Sequence, residues 1–300
     1  MNDTLKDLGI VTEGQTVETL QAKCYEVYES PSMIFNPISD EKELMEDGFF
    51  TVTNSNGKIH GKVATKNSLL PLQDLIEIAY EVNLESELNL QFDRASIEYF
   101  SDQSIAELRI PLGVSRFRTR NGFNDKTDLF LFIKTGFGGN RCTEVGVYTY
   151  RFTCSNGMEI RHGLSYVKCK HTERMNEKIK VFLTEVLPNF TSSVKDFTKM
   201  AKKFDSKDIT DEQVEAFRMK FFNYKKDEEL STKKSNMLAE FNISMKKEMD
   251  KVGQTVWGLL QSATNFTNHR HYSNSDDFCI TGTGATLNSV AEKHCLELVK

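Results

Sequence analysis

Residues 49–64 read Phe-Phe-Thr-Val-Thr-Asn-Ser-Asn-Gly-Lys-Ile-His-Gly-Lys-Val-Ala. Two runs of alternating apolar and polar residues flank Asn56-Gly57, and Asn-Gly between such runs is the strongest short-range signal for a β-hairpin. The sequence therefore predicts two antiparallel strands, at residues 49–53 and 58–64, joined by a tight turn.

The residues after the hairpin predict one helix and then a series of strands. Leu69–Val82 has apolar residues on one helical face, and Pro71 suits the first turn of that helix. Several of the later segments alternate apolar and polar residues, as half-buried antiparallel strands do. The predicted strands are Leu88–Phe92, Ala95–Phe100, Ile105–Leu112, Leu129–Thr135 and Glu144–Cys154.

From about Glu173 the apolar period changes from two residues to 3.6, which indicates helices. One helix is expected near 173–204, divided or kinked by Pro188, and another after the capping-box pattern Thr210-Asp211-Glu212-Gln213. Further helices are expected at 234–250, 255–267 and 286–298. The prediction is an α+β chain with an antiparallel β-rich domain at 1–172, which includes one packed helix, and a helical domain at 173–300.

The charge of the chain is unevenly distributed along the sequence. Residues 1–100 contain 7 Lys and Arg against 18 Asp and Glu, whereas residues 101–200 contain 16 against 10. The net charge of −5 is unusual for a general nucleic-acid binder, because neutralisation of phosphates drives the affinity of such proteins. The middle third could nevertheless form a local basic patch, and the acidic first third could pair with it within one subunit or between subunits.

The sequence also indicates where the protein acts. There is no apolar run long enough to cross a membrane, and the start Met1-Asn2-Asp3-Thr4 lacks the basic and apolar character of a secretory signal. We therefore expect a soluble, intracellular protein that has no membrane partner. Its six cysteines are expected to be free thiols in that reducing compartment.

Candidate cofactor sites are weak in this sequence. Gly282-Thr283-Gly284 precedes a helix, but position six of the dinucleotide pattern is Leu287, so a simple helix-entry turn is the preferred interpretation. Cys154, His162, Cys169 and His171 could supply zinc ligands if they converge, but no Cys-x-x-Cys pair occurs, and unconnected strand residues are the preferred interpretation. No nucleophile motif is present. We expect no cofactor, no metal and no enzymatic activity.

A basic stretch is the more informative feature of the middle third. Arg116, Arg118 and Arg120 alternate with other residues, so an extended chain places them on one face. Three guanidinium groups near aromatic residues suit phosphate backbones, stacked bases or a carboxylate-rich protein surface. The competing interpretation is a solvated hairpin edge that charge protects from aggregation.

The helical half has more aromatic side chains than a single apolar stripe needs. Phe190, Phe221, Phe222 and Tyr224 are candidate partner-binding residues, because aromatic side chains are enriched at protein interfaces. The default interpretation of the same residues is packing in the core.

Several of these segments together resemble an uncharacterised phage/plasmid-like protein family. The hairpin at 50–64 resembles that family's N-terminal hairpin, and residues 150–157 look like its Arg-x-x-Cys-x-Asn element. Residues 255–269 are similar to its C-terminal Thr-x-Trp-Gly signature, with Gln261 at a position where Asn is expected. The resemblance implies a mobile genetic element that is expressed in a bacterial cytoplasm, and it carries no established activity.

Two functions of different classes remain open. The leading hypothesis is a non-catalytic interaction protein of a phage or plasmid that inhibits a host antiviral defence complex by direct binding. The alternative is a protein that binds or anneals single-stranded DNA, as the topological similarity to annealing recombinases suggests. A metalloenzyme or nuclease is a third, weaker hypothesis. Both leading hypotheses suit a homo-oligomer, because charge-segregated halves can associate head to tail.

Overall fold

The structure is a computed structural model. It describes residues 16–31, 33–36, 41–44, 49–64, 69–100, 103–137, 142–151, 156–160, 166–172, 174–269 and 282–300.

In the described residues up to 64, the elements are one short helix and five strands. They are α1 Val17–Gln21, β1 Val27–Pro31, β2 Met33–Asn36, β3 Glu41–Leu44, β4 Phe49–Asn54 and β5 Ile59–Ala64. The predicted hairpin is confirmed, because β4 pairs with β5 in an antiparallel register, and β1 extends this sheet on the other side of β4. Gly57 takes a φ of 76° in the turn, a conformation that favours glycine. Strands β2 and β3 form a separate antiparallel pair.

Helix α2 spans Leu72–Glu85 and confirms the predicted helix. Its apolar face, which includes Leu75 and Ile76, is buried. The strand predicted at Leu88–Phe92 is wrong. Glu87 and Asn89 have φ values of 52° and 57°, which extended backbone does not allow, and a short 3₁₀ turn at Phe92–Arg94 follows.

The largest sheet contains six strands. They are β6 Ser96–Phe100, β7 Ile105–Arg118, β8 Asn124–Gly136, β9 Thr143–Arg151, β10 Asn156–Ile160 and β11 Val167–Cys169. The strand order is β10-β9-β8-β7-β6, and β11 also pairs with β9. The registers of β6 with β7, β10 with β9 and β11 with β9 are all antiparallel.

Helices follow the last strand. They are α3 Met175–Val186, α4 Ser193–Asp205, α5 Asp211–Phe222, α6 Thr232–Val252, α7 Val256–His269 and α8 Thr283–Leu298. Pro188 lies in a 3₁₀ turn that separates α3 from α4, as the sequence predicts. The capping box is also confirmed, because the Thr210 side chain accepts from the Gln213 backbone while the Gln213 side chain accepts from the Thr210 backbone.

The fold class is therefore α+β, with antiparallel sheets in the first half and helices in the second. The chain forms two compact units, and each is built from several segments. Unit 1 comprises residues 1–111, 131–145 and 167–191, and unit 2 comprises residues 112–130, 146–166 and 192–300. The domain limits 1–172 and 173–300 stay a prediction, whereas the change from strands to helices does occur between Cys169 and Met175.

Each unit has an apolar core of its own. In unit 1, the buried faces of α2 and of the sheet include Leu75, Ile76, Leu108 and Ile133. In unit 2, the rings of Phe217, Phe221, Phe222, Phe241 and Phe266 form one cluster. Among the described helices, none combines the length and the apolar character that crossing a bilayer requires.

Candidate nucleic-acid interface

The second half of strand β7 has one buried face and one exposed face. Ser115 and Phe117 are buried, whereas Arg116 and Arg118 are exposed. This alternation confirms that Arg116 and Arg118 lie on one face of an extended segment. The buried face of β7 therefore fixes which way the two guanidinium groups point.

The buried face of β7 is held by aromatic packing against the helices of unit 2. The Phe117 ring meets the Trp257 indole edge-on with 5.7 Å between centroids, and Phe197 meets the same indole at 6.0 Å. Ser115 also lies within hydrogen-bond distance of Thr198, with 2.7 Å between the two hydroxyl oxygens. Because Ser115 and Phe117 face α4 and α7, Arg116 and Arg118 lie on the opposite face of the strand.

A buried charge cluster lies beside Trp257. Arg151 donates from Nε to Asp125 Oδ1 at 2.8 Å and from Nη1 to Glu248 Oε2 at 2.8 Å. Trp257 donates from Nε1 to the other Asp125 oxygen at 2.9 Å, and Asn265 donates to the other Glu248 oxygen at 3.1 Å. The cluster thus joins β8 and β9 to α6 and α7 through two carboxylates that share one guanidinium group.

This cluster is enclosed and has no room for a substrate. The side chains of Asp125 and Glu248 are fully buried, and that of Arg151 is 2% exposed. The cavity beside them has a volume of about 10 Å³, which is about enough for one water molecule. We therefore assign the cluster a structural role, which is to hold the ends of β8 and β9 in place.

The outer face of the sheet carries further polar side chains beside the arginines. Asp125 and Arg151 point inward, so the pleat turns their neighbours Lys126 and Tyr150 outward. Lys126 lies on β8 and Tyr150 on β9, and both are half-buried. Because β7, β8 and β9 are adjacent strands, Arg116, Arg118, Lys126 and Tyr150 share one surface. We call these four residues the outer sheet face.

The two exposed arginines of this face differ in their contacts. Arg118 donates from Nε to the Gly122 carbonyl oxygen at 3.3 Å, a contact that steadies its side chain above the β7–β8 turn. Arg116 makes no hydrogen bond or ion pair with any residue that the structure describes. The N–H groups of its guanidinium are therefore available to a ligand.

Arg120 lies beyond the end of β7 and is engaged elsewhere. It donates from Nη1 to Asp208 at 2.8 Å and to the Ser206 carbonyl oxygen at 3.2 Å. Its backbone N–H donates to Asp205, which ties the β7–β8 turn to the end of α4. The sequence places Arg120 with the other two arginines, but the turn gives it a role in joining two elements.

The candidate aromatic residues lie mainly in the core. Phe190 is buried in unit 1, and Phe221 and Phe222 are buried in the aromatic cluster of unit 2. Tyr224 is half-buried, and its hydroxyl donates to Glu215 at 2.8 Å. The three phenylalanine rings are not available on the surface of the folded chain, so the default interpretation of core packing applies to them.

The candidate zinc residues are only partly described. Cys154 and His162 lie outside the described residues, while Cys169 is on β11 and His171 follows it. His171 Nε2 lies 3.0 Å from the Thr143 hydroxyl oxygen, and burial lowers the pKa of its ring. In the described part of the chain, no group of three or more His, Cys, Asp or Glu side chains is arranged to hold a metal ion.

Unit 1 contains a second charge network, which crosses four strands and is buried except at Lys168. Glu107 Oε1 accepts from Arg109 Nε at 2.6 Å, and its other oxygen lies 3.8 Å from Lys134 Nζ. Glu144 lies 3.6 Å from Lys134 and 2.6 Å from Lys168. Positive and negative groups alternate along this row, so we interpret it as pairing that fixes the strand register.

Sequence reasoning missed several residues of the site. Asp125 and Glu248 belong to no motif, and the adjacent residues in sequence do not distinguish a buried Glu within a helix from a solvated one.

Lys126 and Tyr150 alternate correctly within their own strands, but their position beside Arg116 follows only from the strand order. Arg151 and Trp257 belong to the two segments of the family resemblance, and the structure joins both to Asp125.

Comparison with known proteins places the chain in one family. No curated protein and no solved structure matches it. The profile of a family described as a domain of unknown function, DUF932, matches residues 73–290, which include the outer sheet face and the buried charge cluster. The chain therefore belongs to the DUF932 family.

Proposed function

We propose that this chain is a non-catalytic, single-stranded-DNA-binding protein that acts in phage or plasmid DNA transactions. The observation that carries the proposal is the exposure of Arg116 and Arg118 on a sheet face that also presents Lys126 and Tyr150. Guanidinium groups bind phosphate oxygens in a bidentate manner, and a tyrosine ring offers a surface on which a base can stack.

The distribution of charge supports the same proposal. Unit 2 contains 23 Lys and Arg against 19 Asp and Glu, whereas unit 1 contains 15 against 24. The outer sheet face therefore belongs to the unit that has a surplus of positive charge. A local surplus of this kind attracts a polyanion even though the whole chain is acidic.

An acidic protein partner, such as a component of a host defence complex, is the competing proposal. It would use the same arginines, but the aromatic patch that favoured it is in the core, because Phe190, Phe221 and Phe222 are buried. Carboxylate recognition also has no need of base stacking by Tyr150. We therefore prefer single-stranded DNA as the ligand.

The test is binding of a labelled single-stranded oligonucleotide of about 16 nucleotides, measured by fluorescence anisotropy. We expect the double variant Arg116→Ala/Arg118→Ala to bind at least about tenfold more weakly, because one hydrogen bond to a charged group contributes about 1.5–3 kcal/mol. Lys225→Ala/Lys226→Ala removes the same charge from an exposed loop of unit 2 and should bind almost as the wild type does.

Substitutions of Tyr150 distinguish the two proposed ligands, single-stranded DNA and an acidic protein. Tyr150→Phe should retain DNA binding, whereas Tyr150→Leu should weaken it, because stacking on an aromatic ring contributes about 1–3 kcal/mol per base. No binding by the wild-type protein at low salt would exclude the proposal. Capture of an acidic protein that depends on Arg116 and Arg118 but not on Tyr150 would favour the competing one.

A further inference from the structure

Unit 1 has an open groove between helices α2 and α3 that no described residue fills. The groove has a volume of about 610 Å³, and its lining includes Ile78 and the 59% exposed side chain of Val181. One water molecule takes up about 30 Å³ of the liquid, so the groove is large enough for several side chains. Ile78 and Val181 are the apolar members of this lining, and the other side chains that line the groove are polar or charged.

The rim of the groove is acidic. Asp74 and Glu77 of α2 and Glu177 of α3 line it, and none of them has an ion pair with a described residue. Burial and the nearby Glu77 carboxylate raise the pKa of Asp74 above its ordinary value. Lys180 also lines the groove, but its charge is shared by Glu81 and Glu85, each 3.0 Å away. The groove therefore favours a cationic occupant that also offers an apolar side chain.

Helix α6 of unit 2 presents the complementary surface. Ile243, at 71% exposure, is the most exposed of the large hydrophobic side chains that the structure describes. Lys246 and Lys247 lie three and four positions further along and so share its helical face. Both lysines are exposed, and neither forms an ion pair with a described residue. This face combines an exposed apolar side chain with two positive charges on its C-terminal side, and Glu240 and Asp250 lie at its two ends.

We infer that the α6 face of one copy of this chain docks into the α2–α3 groove of a second copy. Ile243 would contact Ile78 and Val181, while Lys246 and Lys247 would approach the acidic rim. The charges of the two units support a second copy as the occupant, because unit 1 has nine more acidic than basic residues and unit 2 has four more basic than acidic ones.

Such an interface is head to tail, because the two partners use different surfaces. A head-to-tail interface adds copies until the arrangement closes into a ring, or continues as a filament. Neither surface includes Arg116, Arg118, Lys126 or Tyr150. The inference therefore does not depend on DNA binding, and it can fail while the proposed function holds.

The test measures mass by sedimentation at low ionic strength. Wild-type chains should assemble to masses above the 34.3 kDa of one chain. Ile243→Asp removes the docking side chain and Val181→Asp blocks the groove, and each variant alone should sediment as a single chain. An equal mixture should form a dimer of twice the single-chain mass, because the intact groove of the first variant can still receive the intact α6 face of the second.

The controls keep the test decisive. Ile59→Asp changes a side chain that is 67% exposed in β5, outside both surfaces, and should assemble as the wild type does. Far-ultraviolet circular dichroism would check that each variant is folded, as expected for substitutions at exposed positions. A wild-type protein that stays a single chain, variants that retain the wild-type mass, or a mixture that stays monomeric would each overturn the inference.

Discussion

Arg151 is the shared partner of two buried carboxylates in unit 2. It lies between Asp125 and Glu248, and all three side chains are buried. Removing one member of a buried ion pair costs more than the pair contributes, because the remaining charge keeps its desolvation penalty. The cluster is therefore a sensitive point of the fold although it does no chemistry.

We predict that Arg151→Met lowers the free energy of unfolding by about 3–5 kcal/mol, because it leaves two carboxylates buried without their partner. Denaturant-induced unfolding measures this change. Lys199→Ala, which breaks an exposed pair with Asp196, is the matched control and should unfold almost as the wild type does. Equal unfolding midpoints for Arg151→Met and the wild type would show that the cluster is not a structural centre.

The lowered pKa of His171 leads to a prediction of how the stability of the protein depends on pH. Burial lowers the pKa of its ring below the ordinary value of 6.5, so the folded state favours the neutral form. The stability that the neutral ring provides is present above that ordinary value, and it is lost as the pH falls from there through the lower pKa of the folded state. Unfolding free energies measured from neutral pH to about pH 5 should therefore decrease more for the wild type than for His171→Gln. Parallel pH profiles would contradict this assignment.

At the scale of elements, helix α7 is buried along almost its whole length. All residues from Val256 to Thr267 are buried, so neighbouring elements surround the helix. Its buried hydroxyl groups are hydrogen-bonded, as in the contact of 2.8 Å between Thr267 and Asn288. The helix also begins close to the end of α6, where Gly258 has no space for a side chain.

We predict that Gly258→Ala destabilises the protein. An added Cβ atom would lie 2.3 Å from the Gly253 carbonyl oxygen, so the backbone would have to move. Overpacking of this kind costs about 1–3 kcal/mol, which thermal or denaturant unfolding would detect. Asn236→Ala on the exposed face of α6 is the control. If the Gly258→Ala variant were as stable as the wild type, the close approach of the Gly253 carbonyl group to α7 would be contradicted.

Local chemistry made several elements predictable. The Asn-Gly turn, the capping box at Thr210 and the break at Pro188 each depend on residues within a few positions of one another, and all three are confirmed. The strand predicted at Leu88–Phe92 failed because its alternation says nothing about the positive φ of Glu87 and Asn89. The Asn83 side chain, which accepts from Leu90 N–H, stabilises this turn from the preceding helix.

The two units are each built from segments that are distant in sequence. Strands β7, β8 and β9 each contribute residues to both units. A period of two residues predicted that Arg116 and Arg118 share a face. Only the order of the strands brings Lys126 and Tyr150 to that face, and strand order depends on non-local pairing that periodicity does not reveal.

Binding of single-stranded DNA by Arg116 and Arg118 through its phosphates predicts how the affinity depends on salt. The most direct measurement is the slope of the logarithm of the binding constant against the logarithm of salt concentration, from about 50 to 200 mM. Each phosphate contact adds about 0.7 to the steepness of this slope for a single strand, so Arg116→Ala/Arg118→Ala should make it shallower by about 1.4. Lys225→Ala/Lys226→Ala should leave the slope unchanged. Equal slopes for the wild type and the arginine variant would contradict phosphate binding by Arg116 and Arg118.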